Sequence, residues 1–200
     1  MASISMFKSA LATGGARANQ FEMYITPPAS IGFTWTPQAQ DFILCKGASL
    51  PASSIADVPV QYRGKTVHFA GERTYAPWTV TFFNTLDETT PALALRNFFE
   101  EWQTYIQSYS NIDGSVLHDT YTAIIDVNQL DRSDNIAHSY KFINAFPTEI
   151  SEIALAYETE NAIEEFTVTF TYDYFVSTAT SSTETDAATV ETNTTAMITD

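Results

Sequence analysis

The chain has 200 residues, 44% of them hydrophobic and 14% aromatic, which suffices for one domain with a real core. Nine lysines and arginines face 24 aspartates and glutamates, and the formal charge of −15 argues against nonspecific nucleic-acid binding by the molecule as a whole. The single cysteine, Cys45, leaves no disulfide framework within the chain, and no apolar run approaches a membrane span.

Residues 1–19 contain no acidic residue and read as an N-terminal arm. Residues 6–12 have room for one or two amphipathic turns. This is not a signal peptide, because the apolar core is short and is broken by Ser5, Lys8 and Ser9; a transit peptide is conceivable from composition but is a poor reading. Gly14 and Gly15 mark a loop. Residues 21–25, FEMYI, alternate as a first strand. Residues 27–40 are a polar, proline-punctuated connection with a brief strand at Phe33, Thr34 and Trp35. Phe42, Ile43 and Leu44 read as a short apolar strand running into Lys46 and Gly47. Leu50-Pro51 breaks it, since proline has no N–H and restrains the residue before it. Cys45 in this strand is expected to be a small packing residue rather than a nucleophile.

Residues 58–62 and 66–70 read as the arms of a hairpin that turns at Arg63-Gly64-Lys65, where glycine accepts a positive φ. Val58, Val60 and Tyr62 share one face of the first arm, and Val67 and Phe69 one face of the second. Residues 45–84 hold Lys46, Arg63, Lys65 and Arg73, four of the nine bases, against only Asp57 and Glu72. Unpaired strand edges are hazardous on a lone monomer. Two readings follow from these residues alone: an arm that docks on another subunit, or an ordinary surface hairpin with scattered charge. Residues 78–82, WTVTF, alternate as a half-buried strand.

Thr90 and Pro91 have the chemistry of an N-cap and first helical position. From there to Tyr109 the pattern is helical, with Leu95, Phe99, Trp102, Ile106 and Tyr109 on one stripe that would cover a sheet. Residues 111–114 end the helix. Residues 121–130 and 136–146 read as a second hairpin across the polar turn 131–135. Its aspartates, Asp131 and Asp134, resemble part of a calcium loop, but Arg132 and the absent later glutamate argue against one. Residues 150–153 read as a short turn or helix, 155–157 as a strand and 163–176 as one long strand. In the long strand Phe166, Val168, Phe170, Tyr172 and Tyr174 face the core, and Thr167, Thr169, Thr171 and Asp173 face water. Residues 177–200 are half serine and threonine, with four acids and no base, the composition of a disordered extension. Asn193-Thr194-Thr195 matches a glycosylation acceptor without a secretory context.

No catalytic constellation is visible. His68, His118 and His138 lack metal-like spacing, and no nucleophile elbow, phosphate loop or dinucleotide fingerprint is present. Glu100-Glu101 reads as a solvated face or an intersubunit partner, and Glu164-Glu165 as surface. The expectation is a non-enzyme without cofactor or metal.

Charge is distributed unevenly. No base follows Lys141, whereas eleven acids do, from Glu149 to Asp200. Bases early and acids late suit a head-to-tail contact between unlike patches on identical copies; a merely soluble acidic surface is the other reading.

A lysine before a Leu-Pro turn, then Val58-Pro59-Val60, a basic turn, Ala70-Gly71-Glu72-Arg73-Thr74-Tyr75 and Trp78-Thr79-Val80-Thr81 resemble the tail tube protein family of T4-like contractile-tailed phages. The resemblance continues through Arg96-Asn97-Phe98-Phe99-Glu100-Glu101-Trp102-Gln103 and includes residues 16–21, Phe146-Pro147-Thr148 and residues 165–174. It covers roughly residues 16–176, with the pieces in the family's order. It implies a mainly β, sandwich or barrel-like protomer at 20–176, with one flanking helix (91–109) and an extended hairpin (46–77), followed by the extension 177–200. It further implies hexameric rings stacked as a hollow rod in the virion, assembled in the host cytoplasm. The implied partners are other copies of the chain, a sheath protein, a tape-measure protein, and baseplate and tube-terminator proteins, with double-stranded DNA passing through unbound. On that basis Lys46, Val60, Tyr62, Arg63, Lys65, Val67, Phe69, Glu72 and Arg73 are expected to contact neighbouring subunits. If the rings close the sheets into a barrel, Thr167, Thr169, Thr171 and Asp173 face its channel.

Two other readings remain. One is the tube or tube initiator of a related contractile injection or secretion system. The other is a monomeric β-sandwich binding module, for example for carbohydrate, which requires Trp35, Trp78 and Trp102 to be exposed together. An uncharacterised hydrolase is more distant still.

Overall fold

The computed structural model describes residues 4–11, 15–86, 92–108, 117–156 and 163–178. The described elements are helices α1 (Ile4–Ala10) and α2 (Ala94–Ile106) and strands β1 (Phe21–Thr26), β2 (Cys45–Ala48), β3 (Ser53–Tyr62), β4 (Lys65–Tyr75), β5 (Trp78–Phe83), β6 (Ala123–Leu130), β7 (Ile136–Ile150), β8 (Glu165–Thr171) and β9 (Tyr174–Ser177). The protein is mainly β, as the sequence predicts. Seven strands form an antiparallel sheet in the order β1-β6-β7-β8-β5-β2, with β9 also on β7; β3 and β4 pair only with each other.

Strand β7 is 15 residues long because it serves both halves of the sheet. Its residues up to Ala145 pair with β6, and from Phe146 onward it pairs with β8. The chain turns a corner where these ladders change over. There Asn144 adopts φ 56°, which asparagine tolerates better than most residues. Its Nδ2 donates to Asp173 Oδ2 at 2.7 Å, and the Asp173 N–H donates to Ile143 O at 3.1 Å. This corner divides the single strand expected over 163–176 into β8 and β9. Tyr174, beyond the break, is 40% exposed and does not join the buried face of Phe166, Val168, Phe170 and Tyr172.

Alternation then builds the core. Met23, Ile25, Ile125, Val127 and Phe142 from one half meet Trp78, Val80, Phe82, Phe166, Val168 and Phe170 from the other. The Trp78 ring lies 4.5 Å from Phe142 and 5.8 Å from Phe170. Helix α2 buries Leu95, Phe99 and Trp102 of the expected stripe, with Ile106 half-buried, and adds Phe98, whose ring is 4.6 Å from Phe33. The Trp102 indole donates to Tyr121 O at 2.7 Å, so its N–H is satisfied inside the core. Full burial of each such side chain is worth roughly 1.5–3 kcal/mol.

Several local expectations are corrected. Residues 42–44 are not a strand: Ala39–Leu44 is a 3-10 helix, held at its start by Asp41 Oδ2, which accepts the Gln38 N–H at 2.6 Å. Of its apolar residues only Phe42 is buried, and Ile43 is 83% exposed. Residues 33–35 form no strand; Phe33 and Trp35 instead settle against the core as side chains. Ile150 ends β7 rather than opening a turn or helix, and 151–156 has no regular structure. Helix α2 starts at Ala94 behind Leu93, which has φ 57°. The expected cap at Thr90 and Pro91, Tyr109, the helix end at 111–114, Gly14, Tyr157 and residues 179–200 lie outside the described residues.

Candidate functional site

Strands β3 and β4 build a hairpin that stands apart from the main sheet. Their turn is Arg63-Gly64, with φ of 49° and 81°. Two consecutive positive φ values match the twist of antiparallel strands, and glycine meets the second at no steric cost. Lys65, expected in the turn, is the first residue of β4 and lies opposite Tyr62. The register pairs Val58 with Phe69 and Val60 with Val67. Directly opposed residues share a face, so Val58, Val60, Tyr62, Val67 and Phe69 form one continuous apolar stripe. All five are exposed. With 10 and 11 residues in its strands, the hairpin is roughly 30 Å long.

The opposite face is polar. His68 Nδ1 lies 2.6 Å from Asp57 Oδ2, and Gln61 Nε2 donates to Thr66 Oγ1 at 2.8 Å. Near the base, the register shifts between Ile55 and Asp57, and Gly71 of β4 sits in this irregular stretch. A Cβ at Gly71 would lie 3.0 Å from Ala56 O and 3.1 Å from Val58 Cγ2, tighter than ordinary contact, so the bulge favours glycine. The root is anchored: the Trp78 indole donates to Ser49 O, and the Tyr75 ring is 5.5 Å from Phe175 and 6.0 Å from Tyr172. The shaft therefore projects from a fixed base. Among the described residues Arg63, Lys65 and Arg73 form no ion pair, and Glu72 is exposed beside the bulge. Lys46 is different. It lies on β2, outside the hairpin proper, and pairs within its own chain with Glu165 at 2.6 Å.

A second surface is the outer face of β5 and β8. Thr79 lies opposite Thr169, and Thr81 opposite Thr167. The hydroxyls of Thr79 and Thr169 are 3.3 Å apart, and Thr148 of β7 donates to Thr169 O at 3.0 Å. Thr79, Thr81 and Thr148 thus share this surface with the expected Thr167 and Thr169. The alternation of threonine with Trp78, Val80 and Phe82 was visible, but not which strand β5 would adjoin. Thr171 is exposed at the end of β8, while Asp173 is occupied at the corner as the acceptor from Asn144.

Other candidates resolve into structural roles. Burial pushes the Cys45 thiol up to about 11, against the opposing effect of a Gly47 backbone hydrogen bond. Backbone N–H groups of Asn135 and Ser133 hold the Asp131 carboxyl below its usual value, and this aspartate caps its turn. Glu100 pairs with Arg96 at 2.8 Å and Glu101 accepts the Thr34 N–H at 2.9 Å, so both have partners within the chain. Among the described residues no group of three or more His, Cys, Asp or Glu could hold a metal ion. Trp78 and Trp102 are buried and Trp35 is half-buried, so the shared aromatic platform required of a carbohydrate-binding module does not exist.

The fold is shared with a solved structure of another protein. It superposes on a chain of the anti-feeding prophage baseplate with a TM-score of 0.57, at 10% identity, over 82% of this chain and 95% of that one. At that identity the likeness concerns the fold. Sequence relatives are more specific. The tail tube protein gp19 of Enterobacteria phage T4 is 29% identical over 161 residues, 80% of this chain and 90% of that protein. The tail tube protein of Serratia phage KSP90 is 23% identical over 178 residues, 88% of this chain and 98% of that protein. The model of the phage tail tube protein family matches residues 16–178, and the chain belongs to that family. It is accordingly a structural component of a phage tail.

Proposed function

We propose that this subunit stacks as hexameric rings into a hollow tube inside a contractile sheath, the conduit for DNA delivery. The observation that carries the reading is the projecting hairpin. Among the described residues its apolar stripe has no cover in its own chain, and its strand edges are open. An isolated two-stranded ribbon is marginal in water unless something packs on it. A neighbouring copy supplies both an apolar surface and strand partners.

Arg63, Lys65 and Arg73 then meet acids of the adjacent ring, consistent with a chain whose bases lie early and acids late. Lining of the passage by Thr167, Thr169, Thr171 and Asp173, joined by Thr79, Thr81 and Thr148, gives DNA a hydroxyl surface with few cations to grip it. Sheath, tape-measure, baseplate and terminator proteins are the partners such a tube requires, and assembly takes place in the host cytoplasm. The test is R63E/K65E. The expected result is a folded subunit with unchanged thermal unfolding that no longer forms tubes, read by negative-stain microscopy. Normal tubes from this variant refute the hairpin's role.

A further inference from the structure

Lys46 lies at the margin of the threonine face, and it is not bare. Lys46 sits where β2 slips register against β5, between Cys45 and Gly47. Its side chain runs past the Phe83 ring, with Nζ 5.6 Å from the centroid. Nζ then donates to both carboxylate oxygens of Glu165, at 2.6 and 2.7 Å. Glu165 is the first residue of β8, opposite Phe83 and two positions before Thr167. The side chains of Lys46 and Glu165 remain 48% and 38% exposed, so the pair contributes little to stability. What it changes is the charge that the face presents.

We propose that Lys46 and Glu165 form a charge clasp that stops the passage lining from holding a polyanion, duplex DNA above all. This rests on the assignment of the threonine face to the channel. A bare ammonium, repeated in every copy around and along a tube, is a lattice of phosphate sites. With the carboxylate in contact, a passing phosphate meets a dipole in place of a cation. Glu149, the carboxylate opposite Thr169 on β7, cannot serve instead. It lies opposite Thr169, four residues along β8 from Glu165, roughly 13 Å at ordinary strand rise. That exceeds the screening length of about 8 Å in physiological salt. The clasp also accounts for the two-oxygen contact: a lysine held by both oxygens has fewer donors left for phosphate.

The experiment compares tubes of the wild type, E165Q, E165K and the swapped pair K46E/E165K. Each is incubated with short duplex DNA at 50 and 200 mM salt, sedimented and assayed for retained DNA. Wild-type and swapped tubes retain little. E165Q and E165K tubes retain at least about tenfold more at the lower salt, and E165K more than E165Q. Each engaged lysine loses about three- to fourfold in affinity over that salt range, so retention collapses at 200 mM. E165K tubes that hold no more DNA than wild type overturn the clasp, and so does a swapped pair that holds as much as E165K. The channel assignment is read separately with T169C and a bulky polymer-linked maleimide. Labelling of the assembled tube along its outside overturns that assignment whatever the DNA result, and shielding from the bulky reagent with labelling by a small one supports it.

Discussion

Truncating the hairpin stripe separates a contact made by the subunit from one made by the tube. Phe69 and Val60 are 56% and 45% exposed in the isolated chain. Full burial of such side chains is worth roughly 1.5–3 kcal/mol each, so about half of that is still to be gained on docking. V60A/F69A therefore removes about 1.5–3 kcal/mol from each subunit addition, roughly a 10- to 150-fold rise in the concentration needed for tube growth. Within the subunit these side chains touch little beyond their own hairpin. The loss there is under about 0.5 kcal/mol, less than about 2 °C in the unfolding midpoint. Sedimentation of polymer against total concentration measures the first quantity, and calorimetry of the unassembled chain the second. A midpoint that drops by about 6 °C or more while the polymerisation threshold stays fixed refutes docking by the stripe, which would then be packed on its own body.

Three further predictions concern the fold that holds the hairpin. Asn144→Ala places alanine at φ 56° and removes the bond to Asp173, which costs roughly 2–3 kcal/mol. Asn144→Gly relieves the strain and costs about 1 kcal/mol; equal losses in denaturant unfolding refute the corner. Trp102→Ala removes a fully buried ring and costs about 3–5 kcal/mol, or roughly 6–20 °C, with a drop under about 3 °C showing that α2 does not seal the core. Cys45, with its thiol pushed up to about 11, is alkylated at pH 8 about 100-fold more slowly than in the unfolded chain. Its folded value lies above the exposed one of 9.0, so its contribution to stability is intact below pH 9 and declines as pH rises toward 11. Rapid alkylation of the folded chain at pH 8 contradicts that burial.

Local chemistry made much of this protein legible. Alternation in WTVTF and EFTVTFT, the spacing of Leu95, Phe99 and Trp102, and the Arg63-Gly64 turn each specify an element without help from the rest of the chain, because side-chain period and backbone φ are local properties. The same holds for the basic character of the hairpin. Three-dimensional partnership was not legible. Lys46 read as one more hairpin base until β5 brought it to Glu165, 119 residues away. Asn144 gave no sign that the chain would turn at Asp173, because neither residue breaks a strand by itself. Phe42, Ile43 and Leu44 read as a strand because apolar content alone does not distinguish a strand from a short helix lying along one. The sequence determined which faces are apolar, which are polar and where the charge lies. Only the tertiary structure decided which strands adjoin, and hence that the threonines of β5 and β8 form a single surface, since strand order depends on contacts between residues that sequence neighbourhood does not report.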